Sequence, residues 1–132
     1  MAPIRALILN HMVQYSNTLL DTSFAALSDP TRRGVLDALG RADASITDLA
    51  EKYRMTITGM RKHVGVLERA GLVATVKTGR VRTCRLGPRR LEEEAAWIEG
   101  RRQLWDARFH ELDKVVEELN RKEKVDERNK RE

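Results

Sequence analysis

The sequence predicts a mainly α fold with a single β-hairpin wing, and three observations carry that reading. Apolar residues recur at helical spacing over most of the 132-residue chain. The pattern switches once to β-branched, extended character, after Gly71 and around a glycine turn. A long helical stripe then returns beyond Gly87-Pro88, with more apolar surface than a small domain needs for its own core.

Each element has a local cause. Residues 1–12 show little pattern and read as a flexible N-terminal extension, with Met12 a candidate start. From Val13 to Leu27, Leu19, Leu20, Phe24 and Leu27 fall at helical spacing and predict a first helix. Asp29 caps a second, Pro30 suits its first position because no donor is needed there, and Gly40 stops it. Val35, Leu36 and Leu39 supply its buried stripe. Ser45, with Asp48 three residues on, is close to a capping box and opens a third helix with Ile46, Leu49, Ala50 and Tyr53 on one face. Thr56 caps a fourth, which runs to about Ala70 and closes at Gly71. Only a few residues, Arg54-Met55 among them, join these two short helices, which is the helix-turn-helix pattern.

Residues 72–77 and 81–86 predict two strands of a hairpin. Either Thr78-Gly79 or Gly79-Arg80 serves as its two-residue loop, so the register stays open. Gly87-Pro88 opens the last helix, on which Leu91, Ala95, Ile98, Trp105, Phe109, Leu112, Val116 and Leu119 alternate by fours and threes. Arg102 is the one break, and Trp97, Leu104 and Val115 widen the stripe. Beyond Asn120 nearly every residue is charged, so 121–132 is expected to fray or be disordered. The chain thus reads as one domain over 13–120, without internal repeats.

Composition excludes several classes. No apolar run approaches the roughly 18–20 residues of a membrane span. Cys84 is the sole cysteine, so no internal disulfide forms and the expected location is the cytoplasm. An enzyme finds no support: there is no Gly-rich phosphate loop, no nucleophile with a plausible base, and no carboxylate pair set to shift its pKa. The net charge of +5 is unevenly spread. Residues 54–90 carry ten Lys/Arg against a single acid, Glu68, while the flanking segments are slightly negative. Such a concentration suggests a surface for a polyanion rather than a merely solvated face.

On the fourth helix, Met60, Val64 and Leu67 face inward, which leaves Thr58, Arg61, Lys62 and Gly65 outward and Ile57 and His63 on the flanks. Arg and Lys pair with guanine acceptors or phosphates, and Thr touches a thymine methyl or donates a hydrogen bond. An ordinary exposed face accounts for most Arg-Lys pairs. The hairpin tips the balance, because its tip and second strand add Lys77, Arg80, Arg82 and Arg85. A helix-turn-helix followed by a basic hairpin is a winged helix-turn-helix, with helix in the major groove and wing along the backbone of double-stranded DNA. The candidate DNA contacts are Thr56, Ile57, Thr58, Arg61, Lys62, His63, Lys77, Arg80 and Arg82.

Residues 24–33 (Phe-Ala-Ala-Leu-Ser-Asp-Pro-Thr-Arg-Arg), 46–50 (Ile-Thr-Asp-Leu-Ala), Arg61-Lys62-His63-Val64 and 67–73 (Leu-Glu-Arg-Ala-Gly-Leu-Val) resemble the ArsR/SmtB-type winged-helix repressors, over about residues 22–119. The resemblance implies a homodimeric bacterial transcriptional regulator, usually a repressor, here of its own operon, on a palindromic operator. It also implies long terminal dimerisation helices, with Leu19, Leu91, Ala95, Ile98, Trp105, Phe109, Leu112 and Leu119 in the interface. The founding members' metal sites are not matched. Residues 46–53 hold no cysteine or histidine, and the last helix holds only His110, with Asp106 a turn earlier. A closed Zn²⁺ site wants about four ligands, so neither metal nor cofactor is expected. Cys84, beside Arg82 and Arg85, is either a thiol of lowered pKa or a plain buried cysteine. Trp97 and Trp105 are either an effector pocket or, more simply, interface core. Two rival readings remain: a metal- or redox-responsive repressor of the same fold, and a protein-interaction module built on the long helix.

Overall fold

The computed structural model describes residues 18–131. Five helices and three short strands follow in the order α1 (18–27), α2 (Pro30–Leu39), β1 (Ala44–Ser45), α3 (Ile46–Lys52), α4 (Ile57–Arg69), β2 (Val73–Thr78), β3 (Val81–Leu86) and α5 (Glu92–Arg131). The chain divides into two compact units, one ending at Glu94 and the other beginning at Ala95. The extension over 1–12 lies outside the described residues.

In the first unit the caps form where the sequence places them. Asp29 accepts the Arg32 N–H at 3.0 Å, Ser45 accepts the Asp48 N–H at 3.0 Å, and Thr56 accepts the Gly59 N–H at 3.0 Å. Each satisfies a donor that the first helical turn would leave unpaired. The core is aliphatic: Val35 and Leu39 from α2, Ile46, Leu49 and Ala50 from α3, Met60, Val64 and Leu67 from α4, and Leu72, Val73 and Cys84 from the sheet region. In α1 the face that reaches this core is Ser23 and Ala26; Leu19, Leu20 and Phe24 are only half-buried.

The hairpin register is settled by the pairing of Thr78 with Val81, which makes Gly79-Arg80 the loop. Gly79 has φ +63°, as the first position of a type II′ turn requires. A third strand, missed by the sequence reading, joins the sheet: β1 pairs with β3, giving the order β1-β3-β2. Two residues are too few for a period-two signal to show.

The last helix departs from expectation at both ends. It begins at Glu92 rather than at Gly87-Pro88, and Leu91 sits before it in the left-handed region, φ +67°. Gly87 N–H donates to the Leu72 carbonyl (2.8 Å) and Arg89 N–H to the Gly71 carbonyl (3.3 Å), so this segment is held to the end of α4 and the start of the sheet. Leu91 therefore leaves the helical stripe to which the sequence assigns it. At the other end the helix continues through Arg131 instead of fraying after Asn120. Residues 121–131 are mostly Arg, Lys and Glu, strong helix formers, and Arg128, Lys130 and Arg131 complement the negative end of the helix dipole. Glu92, Glu93 and Glu94 do the same at its start.

Candidate nucleic-acid interface

Burial of Met60, Val64 and Leu67 fixes the rotation of α4 about its axis. Thr56, Ile57, Thr58, Arg61 and Lys62 are left exposed along its first half. Thr56 is partly committed, since its hydroxyl oxygen already caps the helix. His63 turns the other way. Its Nδ1 lies 3.1 Å from Arg32 Nη1 and 3.9 Å from the Asp29 carboxylate, which makes it a joint between α4 and the start of α2 rather than a side chain projecting with Arg61 and Lys62.

The wing carries its cations on two faces. Strand alternation puts Arg82 on the same side of β3 as buried Cys84, and Arg85 on the other. Lys77 is the direct cross-strand partner of Arg82. Like charges opposite one another destabilise a sheet, and among the described residues neither side chain has an acidic partner within salt-bridge distance. Lys77, Gly79, Arg80 and Arg82 close with Arg61 around a depression of about 410 Å³. A second depression, of about 360 Å³, shares Arg61, Arg80 and Arg82 and adds Ile57 and the exposed start of α3 at Thr47 and Asp48. Arg61 thus belongs to both, and the α4 and wing cations form one continuous basic surface. Thr47 and Asp48 are not among the DNA contacts that the sequence suggests; their place beside β3 depends on the β1 pairing.

Other arginines of the same sequence are spent inside. Arg89 donates to the Ser23 hydroxyl (2.9 Å) and the Ala70 carbonyl (2.8 Å) and pairs with Glu94 at 2.5 Å. Arg32 donates to the carbonyls of Ala26 (2.8 Å) and Ala25 (3.1 Å), and Arg33 to that of Leu27 (2.7 Å). The Asp-Pro-Thr-Arg-Arg string at 29–33 therefore seals the end of α1 and the start of α2. The Arg32 N–H, followed by the nearby His63 and Arg32 side chains, holds the Asp29 carboxyl below its ordinary range. Cys84 is fully buried, and that burial, with Glu68 nearby, pushes its thiol up to about 11 despite Arg82. The thiol of lowered pKa is thereby corrected: desolvation outweighs the neighbouring guanidinium. Among the described residues no three His, Cys, Asp or Glu side chains gather as a metal site, and no helix is long and apolar enough to cross a membrane.

A family profile described as a helix-turn-helix domain matches residues 27–76. The chain is similar to the crystal structure of an ArsR family transcriptional regulator, with TM-score 0.64 and 38% identity over 68% of this chain and 93% of that one. The chain belongs to the ArsR family of DNA-binding transcriptional regulators. An ArsR-like regulator from Rhodococcus sp. RHA1 is similar at TM-score 0.63 and 35% identity, over 75% of this chain and 93% of its own. The transcriptional repressor SdpR of Bacillus subtilis is 28% identical over 79 residues, 60% of this chain and 88% of its own length. Membership in this ArsR family also answers the enzyme question: the chain is a non-enzymatic regulator.

Proposed function

We propose that this ArsR-family chain is a homodimeric, sequence-specific repressor acting on its own operon in the cytoplasm, through an imperfectly palindromic operator. The observation that carries the reading is the convergence of Arg61 of α4 with Lys77, Arg80 and Arg82 of the wing on one surface, where Asp48 lines one edge but no acid lies within salt-bridge distance of these cations among the described residues. Thr56, Ile57, Thr58, Arg61 and Lys62 enter the major groove, and Lys77, Arg80 and Arg82 follow the phosphates. The similarity to a repressor, SdpR, favours repression over activation.

Dimerisation is supported by the apolar side chains that α5 leaves in water. Ile98 (45%), Trp105 (60%), Phe109 (63%) and Leu119 (60%) are all well exposed. With Ala95 and Leu112 they form the interface, and Leu19 of α1 and Leu91 join it. Residues 13–120 then make one DNA-binding and dimerisation domain. A two-fold dimer presents two α4 helices, so half-sites lie about one helical turn apart.

Footprinting of the region upstream of the protein's own gene tests the reading. The expected result is a symmetric protected site whose affinity falls on the order of 10³-fold or more between 50 and 200 mM salt. An asymmetric footprint covering one half-site, or binding indifferent to salt, would contradict it. Trp105→Glu should dissociate or misfold the dimer, because it puts a charge into an apolar seam.

A further inference from the structure

We infer that Ile57 reads a thymine: its side chain meets the C5-methyl group of a thymine one or two base steps from the pair that Arg61 reads, so each half-site carries a T·A pair there. The inference rests on the DNA-binding surface proposed above and adds the base that this surface selects.

The two depressions on that surface differ in chemistry. The larger is lined by Arg61, Lys77, Gly79, Arg80 and Arg82, so every side chain it offers is cationic, which suits phosphate. The smaller keeps three of those arginines but brings in Ile57, Val81 and Asp48. A carboxylate at its edge repels phosphate, and two aliphatic side chains gain nothing from one. The surface between the first turn of α4 and the start of β3 therefore suits something less charged than the sugar–phosphate backbone. In a duplex that is the base edges of the major groove.

Ile57 is the apolar side chain placed to meet those edges. It opens α4 and is 45% exposed, while the core-facing stripe of the same helix begins at Met60. Residues 57 and 61 lie one turn apart on one row of the helix, with Cβ atoms about 5–6 Å from each other. Stacked base pairs are about 3.4 Å apart, so what Ile57 touches is one or two steps from what Arg61 touches. Val81 lines the same depression from the wing, where it pairs with Thr78 beside the turn.

A single exposed aliphatic residue needs no explanation on an ordinary surface. This one stands among cations on the face proposed to enter the groove, where an aliphatic side chain has one kind of partner. The N7, O6, O4 and amino groups of the base pairs all form hydrogen bonds; the thymine methyl alone is apolar. Against any other edge Ile57 would strip water from a donor or acceptor and return no hydrogen bond. Against the methyl it removes apolar surface from water on both sides. Thr58 is also exposed and also carries a methyl, but its hydroxyl leaves it a choice of partners.

The test starts from a duplex that the full chain selects from a randomised pool. Each thymine of the selected site is replaced in turn by deoxyuridine, which pairs as thymine does and lacks only the methyl. At one thymine of each half-site, one or two steps from the pair whose exchange Arg61→Ala tolerates, the replacement should weaken native binding about fourfold. Ile57→Ala should bind the thymine and deoxyuridine duplexes alike. Thr58→Ser, which removes the other nearby methyl, should keep the distinction. Ile57 is exposed, so its truncation spares the core, and the deoxyuridine scan of the native protein stands without any variant. Native protein indifferent to deoxyuridine at every thymine, or a distinction that outlives Ile57→Ala, would overturn the inference and leave the DNA-binding surface intact. Selection of no duplex at all would overturn the proposed function together with it.

Discussion

Arg80 and Arg89 stand nine residues apart in the same cationic segment, and their surroundings are opposite. Arg89 is drawn inward, where the Ser23 hydroxyl, the Ala70 carbonyl and the Glu94 carboxylate take up its donors. Arg80 lies at the wing turn with Lys77, Arg82 and Arg61 around it and, among the described residues, no acid within salt-bridge distance. A cation with complete partners fixes the fold. A cluster of cations without partners stores repulsion that a polyanion relieves. Net charge counts both kinds alike, so the cationic segment overstates the charge offered to DNA.

The largest expected effect falls on the inward group. Arg89→Ala leaves Glu94, whose Oε2 already lacks a hydrogen-bond partner among the described residues, as an uncompensated buried charge. The expected loss is about 3–5 kcal/mol in urea unfolding, and Arg89→Ala with Glu94→Leu should recover much of it. A loss below about 1 kcal/mol would put Arg89 with ordinary surface cations.

Asp29 gives a smaller effect. Asp29→Ala should destabilise the fold through the lost cap, and Asp29→Asn should do so less, since Asn also caps. The folded carboxyl titrates below its ordinary 3.8, so its contribution is present above that pH and is lost as pH falls through the lowered value. The gap in stability between the native protein and Asp29→Asn should accordingly narrow on acidification; a gap that widens contradicts the assigned cause.

Cys84 sets the low end. Its buried thiol should stay unlabelled by a maleimide at neutral pH until the protein unfolds. Because the folded thiol titrates at about 11 against an ordinary 9.0, its stabilising effect is complete below pH 9 and lost as pH rises toward 11. Cys84→Ala should remove that alkaline component. Rapid labelling of the native protein at pH 7 would restore the redox-responsive reading.

The helical core and the caps were legible because each is local: a cap needs one side chain, and Met60, Val64 and Leu67 report their own face by spacing alone. Long-range pairing was not. Nothing in Ala44-Ser45 announces a strand until β3 is beside it, and the direction of His63 depends on Arg32, thirty-one residues away. The start of α5 was misplaced for the same reason, since the Leu72 and Gly71 carbonyls hold Gly87 and Arg89 out of the helix. Of the candidate DNA contacts, the outward residues on α4 and the wing were readable from periodicity. Their meeting around Arg61 was not, because it needs the packing of the wing beside α4.

The most direct test is a competition titration of operator against scrambled duplex, over a salt series, for Arg61→Ala and Arg80→Ala. Arg61→Ala should cost about 1–3 kcal/mol per half-site and relax preference at one base pair. Arg80→Ala should weaken both duplexes alike and make the salt slope shallower by about one unit for each phosphate no longer neutralised. Affinity and salt slope unchanged in both variants would contradict the claim that the α4–wing cations form the DNA surface; discrimination lost in Arg80→Ala alone would mean that the reading and anchoring roles are reversed.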